Sequence, residues 1–230
     1  MKRQPANLSE SLHQRLNSYA LAASAAGVGI LALALPAEAK IIYSKTDKLI
    51  APHQSLNLDL DRDGKTDFKI SNGATCATDM CWTWLSAKGV IPSNGVQVGG
   101  YDGVAAALKP GSYIGPNRKF SYAAVMLDMV WGQTSGGYWA GVNNRYLGLK
   151  FQIHGQPHYG WARMNVDVTR EGSYTAFIAA RLTGYAYETI PNKLIIAGKT
   201  HGKGANTLHG AGLRQLARGA SAIPASRAKQ

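Results

Sequence analysis

The stretch Tyr146–Val168, "YLGLKFQIHGQPHYGWARMNVDV", decides the architecture. Its first run sets Leu147, Leu149, Phe151 and Ile153 on one side of the chain, the period of two that belongs to a strand. The turn residues of "HGQP" follow, and the return run sets Met164, Val166 and Val168 on one face. Tyr159, Trp161, Arg163, Asn165 and Asp167 take the opposite face. Beyond "TREGS" a third run, "SYTAFIAARLTGYAYETI", keeps Ala176, Ile178, Ala180 and Leu182 in register. Three alternating runs joined by short turns predict a β-meander. Because Trp161 opposes Met164 and Val166, covering one face leaves a large aromatic on the other that needs cover of its own.

Upstream, "KIIYSKTDKLI" is rich in β-branched and aromatic residues and reads as an opening strand. In "SLNLDL" the residues Leu56, Leu58 and Leu60 alternate with Ser55, Asn57 and Asp59, and "DFKIS" resumes the alternation with Phe68 and Ile70. The intervening "DLDRDGKTDF" therefore sits at the tip of a hairpin. Residues 71–121 are studded with Gly, Pro, Asn and Ser and predict long loops with short strands, with one helical turn inside "GVAAALKPGSYIG". "YAAVMLDMVW" is a strand or a buried helical turn, and Asp128 within it is expected to be buried. No run carries both helix caps and an amphipathic period. The expected fold is all-β: an antiparallel two-sheet β-sandwich, jelly-roll-like, over residues 40–197.

The two ends differ from this middle. Lys2, Arg3 and Arg15 precede a run without charge from Ser18 to Ala37, which closes on Ala37-Glu38-Ala39. These are the parts of a secretory signal peptide, expected as a helix over residues 1–39 with cleavage after Ala39 and no membrane span thereafter. Residues 198–230 are rich in Gly, Ala and basic side chains, have little apolar surface to offset ordering entropy, and are expected to be a disordered tail. Lys203, Arg214, Arg218, Arg227 and Lys229 face no acid there. The chain as a whole carries a formal charge of +12. That balance permits contact with extracellular polysaccharide or cell-envelope components. No nucleic-acid motif or basic recognition helix accompanies it, so nucleic acid is not an expected partner.

Against that basic background, four of the thirteen acids fall within "DLDRDGKTD". Asp59, Asp61 and Asp63 occupy positions 1, 3 and 5 of a loop, Gly64 position 6, the Lys65 carbonyl position 7 and Asp67 position 9. This is the ligand order of a calcium loop, in which a hard cation gathers oxygens from alternate positions while a glycine lets the backbone turn. Position 12, Glu in an EF-hand, is Ile70 here and no helix flanks the loop, so the pattern is the shorter D-x-D-x-D-G-x-x-D form. The expected cofactor is Ca²⁺.

Cys76 and Cys81, the only cysteines, are expected to form a disulfide closing a small loop, since no second Cys/His pair completes a zinc set and the spacing is not C-x-x-C. Trp82, Trp84, Trp139 and Trp161 either pack the core or offer platforms on which sugar rings stack. No G-x-S-x-G elbow or pair of carboxylates on one strand face is present, and the chain is expected not to be an enzyme. His154 and His158 flank one turn and would ligate a metal only with a third group from elsewhere. A carbohydrate-binding module is the alternative reading, and a secreted glycoside-active hydrolase acting near Asp128 comes after it.

"DLDRDGKTDF", "YLGLKFQIHGQPHYGWARMNV", "TGYAYETIPNKLIIAG" and the leader "LPAEAK" together resemble a family of exported bacterial proteins of the PEP-CTERM-like type. The resemblance covers most of residues 17–200 and implies a secreted, surface- or matrix-associated β-sandwich with no established enzyme activity and no catalytic residues to carry over. The terminal "AGLRQLARGASAIPASRAKQ" departs from it, lacking the Pro-Glu-Pro motif and apolar helix of the sorting signal.

Overall fold

The computed structural model describes residues 40–78, 80–100 and 103–202. The expected signal segment, the tail from residue 203 onward, and Asp79 and Asp102 lie outside the described residues. Thirteen strands follow in chain order: β1 (Ile41–Ile50), β2 (Gln54–Leu58), β3 (Phe68–Ala77), β4 (Met80–Gly89), β5 (Gly95–Gln97), β6 (Tyr113–Ile114), β7 (Phe120–Ser121), β8 (Ala123–Val130), β9 (Gln133–Gly137), β10 (Val142–Ile153), β11 (Gln156–Glu171), β12 (Thr175–Glu188) and β13 (Ile195–Ile196). The described residues contain no helix. Residues 104–108 make isolated bridges to Val98, Val125 and Tyr146 in place of the helical turn expected there. Their backbone groups pair with distant strands rather than with each other.

Two antiparallel sheets result. One has the order β1-β12-β11-β10-β5-β7, the other β2-β3-β4-β8-β9, and β13 pairs with β6 as a separate ribbon. Both longer sheets contain a meander, β10-β11-β12 and β2-β3-β4, whose consecutive strands are neighbours. A jelly roll sends successive strands to opposite sheets, so the expected jelly-roll-like connectivity gives way to meanders. The predicted β10–β11 hairpin turns on His154 (φ 49°) and Gly155 (φ 75°), both left-handed as a two-residue loop demands.

Alternation places the core between the sheets. Leu58, Phe68, Ile70, Leu85 and Leu127 of the five-stranded sheet share one buried cluster with Leu149, Phe151, Met164, Val166 and Ile178 of the six-stranded sheet, an arrangement consistent with a β-sandwich. Each such side chain contributes about 1.5–3 kcal/mol by leaving water. Asn72 on β3 ties the sheets with two donated bonds, to the Ile50 carbonyl (2.9 Å) and the Ile178 carbonyl (2.6 Å).

A second cluster covers the outer face of the meander, where Trp161 lies with Tyr146, Tyr159, Ala186, Ile114 and Ile195. The β6–β13 ribbon is the lid of this cluster. Tyr146 meets Trp161 edge-on at 5.1 Å, and the Tyr43 ring lies 5.8 Å from the same indole. The Trp161 indole donates to the Lys199 carbonyl (3.3 Å) and thereby fastens the chain after β13.

Candidate metal centre and the exposed tryptophans

The β2–β3 hairpin ends in the acidic loop because the strand pattern stops at Leu58 and resumes at Phe68, its cross-strand partner. Leu60 keeps the loop on the protein: it is 1% exposed and packs where Gly160 leaves room, since a Cβ there would lie 3.0 Å from the Leu60 methyl. With Leu60 inserted, the loop carboxylates fold back onto the loop's own N–H groups. Asp59 accepts from the N–H groups of Arg62 (2.7 Å) and Gly64 (2.9 Å), and Asp67 accepts from Leu60 N–H (2.8 Å). Arg62 (φ 65°) and Gly64 (φ 86°) adopt the left-handed backbone that closes the turn.

Asp59, Asp61 and Asp67, all half-buried, each bring one carboxylate oxygen within 4.8 Å of the others. Oxygens on a sphere of about 2.4 Å radius, the Ca²⁺ coordination distance, are at most about 4.8 Å apart, so the three are close enough to share one ion. Asp63, expected as a fourth carboxylate, stands apart from this group. It is exposed, accepts from Lys65 N–H (2.8 Å) and lies 3.5 Å from the Lys65 ammonium. The Lys65 ammonium, on a flexible four-carbon stem, reaches this exposed carboxylate.

The cluster opposes its own ionisation. Burial pushes the Asp67 carboxyl up to about 6, against the Leu60 N–H bond that lowers it, and the charges of Asp61, Asp59 and Asp63 push the same way. Asp61 is raised as well, by burial first and then by Asp63 and Asp59, with the Asp63 N–H opposing. Two like charges about 4 Å apart cost about 1–4 kcal/mol between bulk-water and protein-surface dielectric.

Cys76 and Cys81 are bonded, as expected, and are directly opposed cross-strand partners at the far end of β3 and the start of β4. The tryptophans divide. Trp139 and Trp161 are fully buried, and each donates its indole N–H to a carbonyl, of Ala105 (3.1 Å) and Lys199 (3.3 Å) respectively. Neither presents a face to a ligand, so these two take core packing, one of the two readings open for the four tryptophans.

Trp82 and Trp84 lie on the outer face of the five-stranded sheet with ring centroids 5.0 Å apart. Trp82 is 51% exposed, and Trp84 lies over Gly73, where any Cβ would meet its ring at 2.2 Å. Asp128, expected to be buried, is half-exposed beside them because its strand parity turns it outward. Its two oxygens accept from the Trp82 indole and from the Ser135 hydroxyl, so it orients the ring. His154 and His158 line one cavity of about 320 Å³, and His158 is held through Nδ1 by the Glu188 carbonyl (2.9 Å). Among the described residues no third metal-binding group joins them.

Comparison with models of known families, with curated proteins and with solved structures gave no match to this chain.

Proposed function

We propose that the chain is an exported, non-enzymatic β-protein of the cell envelope or extracellular matrix in which Ca²⁺ braces the β2–β3 hairpin. The observation that carries the metal reading is the convergence of Asp59, Asp61 and Asp67 to within 4.8 Å, half-buried and mutually repelling. A bound divalent cation relieves that repulsion, and magnesium suits the loop less well because it keeps its own waters and a strict octahedron. Asp63 would reach the ion by releasing Lys65, and the Lys65 carbonyl would supply a further oxygen. The ion's role is structural: it closes a loop whose Leu60 is already part of the core. Export rests on the charge and hydropathy pattern of residues 1–39.

Calorimetric titration of Ca²⁺ into metal-stripped protein tests the reading. One-site binding, lost in Asp61→Ala and accompanied by a higher melting temperature, is the expected outcome. No heat at millimolar Ca²⁺ would reduce the loop to an acidic turn. A second reading, a carbohydrate platform, is favoured by the oriented, exposed Trp82 beside Trp84; Trp82→Ala should then abolish retention on a neutral glucan matrix.

A further inference from the structure

We propose that the groove between the Gly115–Arg118 turn and Leu194 binds the acidic sugar units of an anionic polysaccharide. Alternation in β6 sends Ile114 into the Trp161 cluster and Tyr113 outward, where it is 55% exposed. Leu194, 47% exposed, stands across from it, and Pro116, Asn117 and Arg118 complete a groove of about 460 Å³. That volume lies within the range of small-ligand sites. The turn is fixed by the Arg118 N–H bond to the Gly115 carbonyl (3.1 Å). It approaches β13 closely because residue 115 is glycine: a Cβ there would lie 2.7 Å from that of Leu194.

The chemistry on offer is specific in kind. The phenol ring and the leucine give apolar surface for the C–H face of a sugar, and the Asn117 amide can both donate to and accept from its hydroxyls. The Arg118 guanidinium, free of hydrogen bonds and ion pairs among the described residues, matches a carboxylate or sulfate with two parallel bonds.

Charge selects an acidic sugar over a neutral one. Residues 103–127 carry Lys109, Arg118 and Lys119 and no acid, and residues 189–202 carry Lys193 and Lys199 and no acid. The adjoining acid, Glu188, is 3% exposed and occupied by Ile190 N–H (3.2 Å) and the Lys193 ammonium (3.8 Å). With Glu188 set against Lys193, the segments that build the groove keep an excess of positive charge from Lys109, Arg118, Lys119 and Lys199.

This inference rests on the reading of an exported envelope or matrix protein but is independent of the metal. The test is calorimetry of the full chain with polygalacturonate in EDTA, with dextran and duplex DNA of matched charge as comparisons. Expected is binding of polygalacturonate, with a loss of at least about fivefold in both Arg118→Ala and Tyr113→Ala at unchanged melting temperature, and no dextran binding that depends on either residue. Asp61→Ala, disabled for Ca²⁺, should bind polygalacturonate like the parent, which separates failure of the groove from failure of the metal site. Equal binding by parent and both groove variants would assign the attraction to the basic C-terminal residues and overturn the proposal. Equal affinity for DNA, or no binding, would overturn it as well.

Discussion

At one end of β3 a covalent bond joins Cys76 to its cross-strand partner Cys81; at the other, Phe68 follows a turn shaped by carboxylates and backbone N–H groups. Both devices close a hairpin on the same strand. The disulfide acts by restricting the unfolded chain, so its contribution barely senses salt, pH or metal. The acidic turn gathers charges that repel one another and is stable in proportion to how well they are neutralised. One end of the strand is closed under all oxidising conditions; on the calcium reading proposed above, the other is closed conditionally.

The largest test of that contrast is metal. With a dissociation constant of about 0.1 mM, typical of extracellular sites, Ca²⁺ at about 10 mM should add about 2.7 kcal/mol. That corresponds to a rise of about 5–10 °C in melting temperature for a domain of this size. Scanning calorimetry with EDTA and with Ca²⁺ measures it, and the gain should vanish in Asp61→Asn. Next is the covalent end: Cys76→Ser with Cys81→Ser should cost about 2 kcal/mol. The loss should be the same with and without Ca²⁺; a loss that depends on Ca²⁺ would mean the two ends of β3 are coupled.

The third test is pH. The folded value of Asp67, about 6, lies above its ordinary 3.8, so the folded metal-free protein retains a proton that the unfolded chain releases. That contribution is fully present below the unfolded value and is lost as pH rises through about 6. Melting temperature in EDTA should therefore fall across this window, while calcium affinity rises across it because protons and metal compete for the same oxygens. If Asp67→Asn, which has no carboxyl there to titrate, shows the same pH dependence of melting temperature in EDTA as the parent, burial does not raise Asp67. The smallest effect belongs to Asp63→Asn. Exposed and outside the convergent group, it should change stability by no more than about 0.5 kcal/mol and weaken Ca²⁺ less than Asp61→Asn does.

The same contrast bears on what a sequence makes legible. The meander was readable because Leu147, Phe151, Met164, Val166 and Ile178 repeat at the period of the strand itself, a local property. The acidic turn and the disulfide were readable because their members lie within nine and six residues of each other. Trp139 and Trp161 were not, because what buries them comes from elsewhere in the chain. Ala105 accepts from Trp139 across 34 residues, and the cover over Trp161 is assembled from Ile114 and Ile195, in two-residue strands too short to show a period. Asp128 was misplaced for a related reason: an acid inside an apolar run reads as buried until the parity of its strand is known.

The pairing of β1 with β12 joins Ile41 to Glu188 and Ile50 to Ala180. The first strand of the described fold therefore pairs in its own sheet with the twelfth alone, and its ten residues have no sheet partner until that contact forms. Long-range closure of this kind slows folding, and an unpaired edge invites pairing with another chain. The bulge between Lys45 and Lys48 interrupts that edge, and the charged side chains of Lys45, Asp47 and Lys48 line it. A strand that must wait for its partner is made, in its own sequence, a poor partner for anything else.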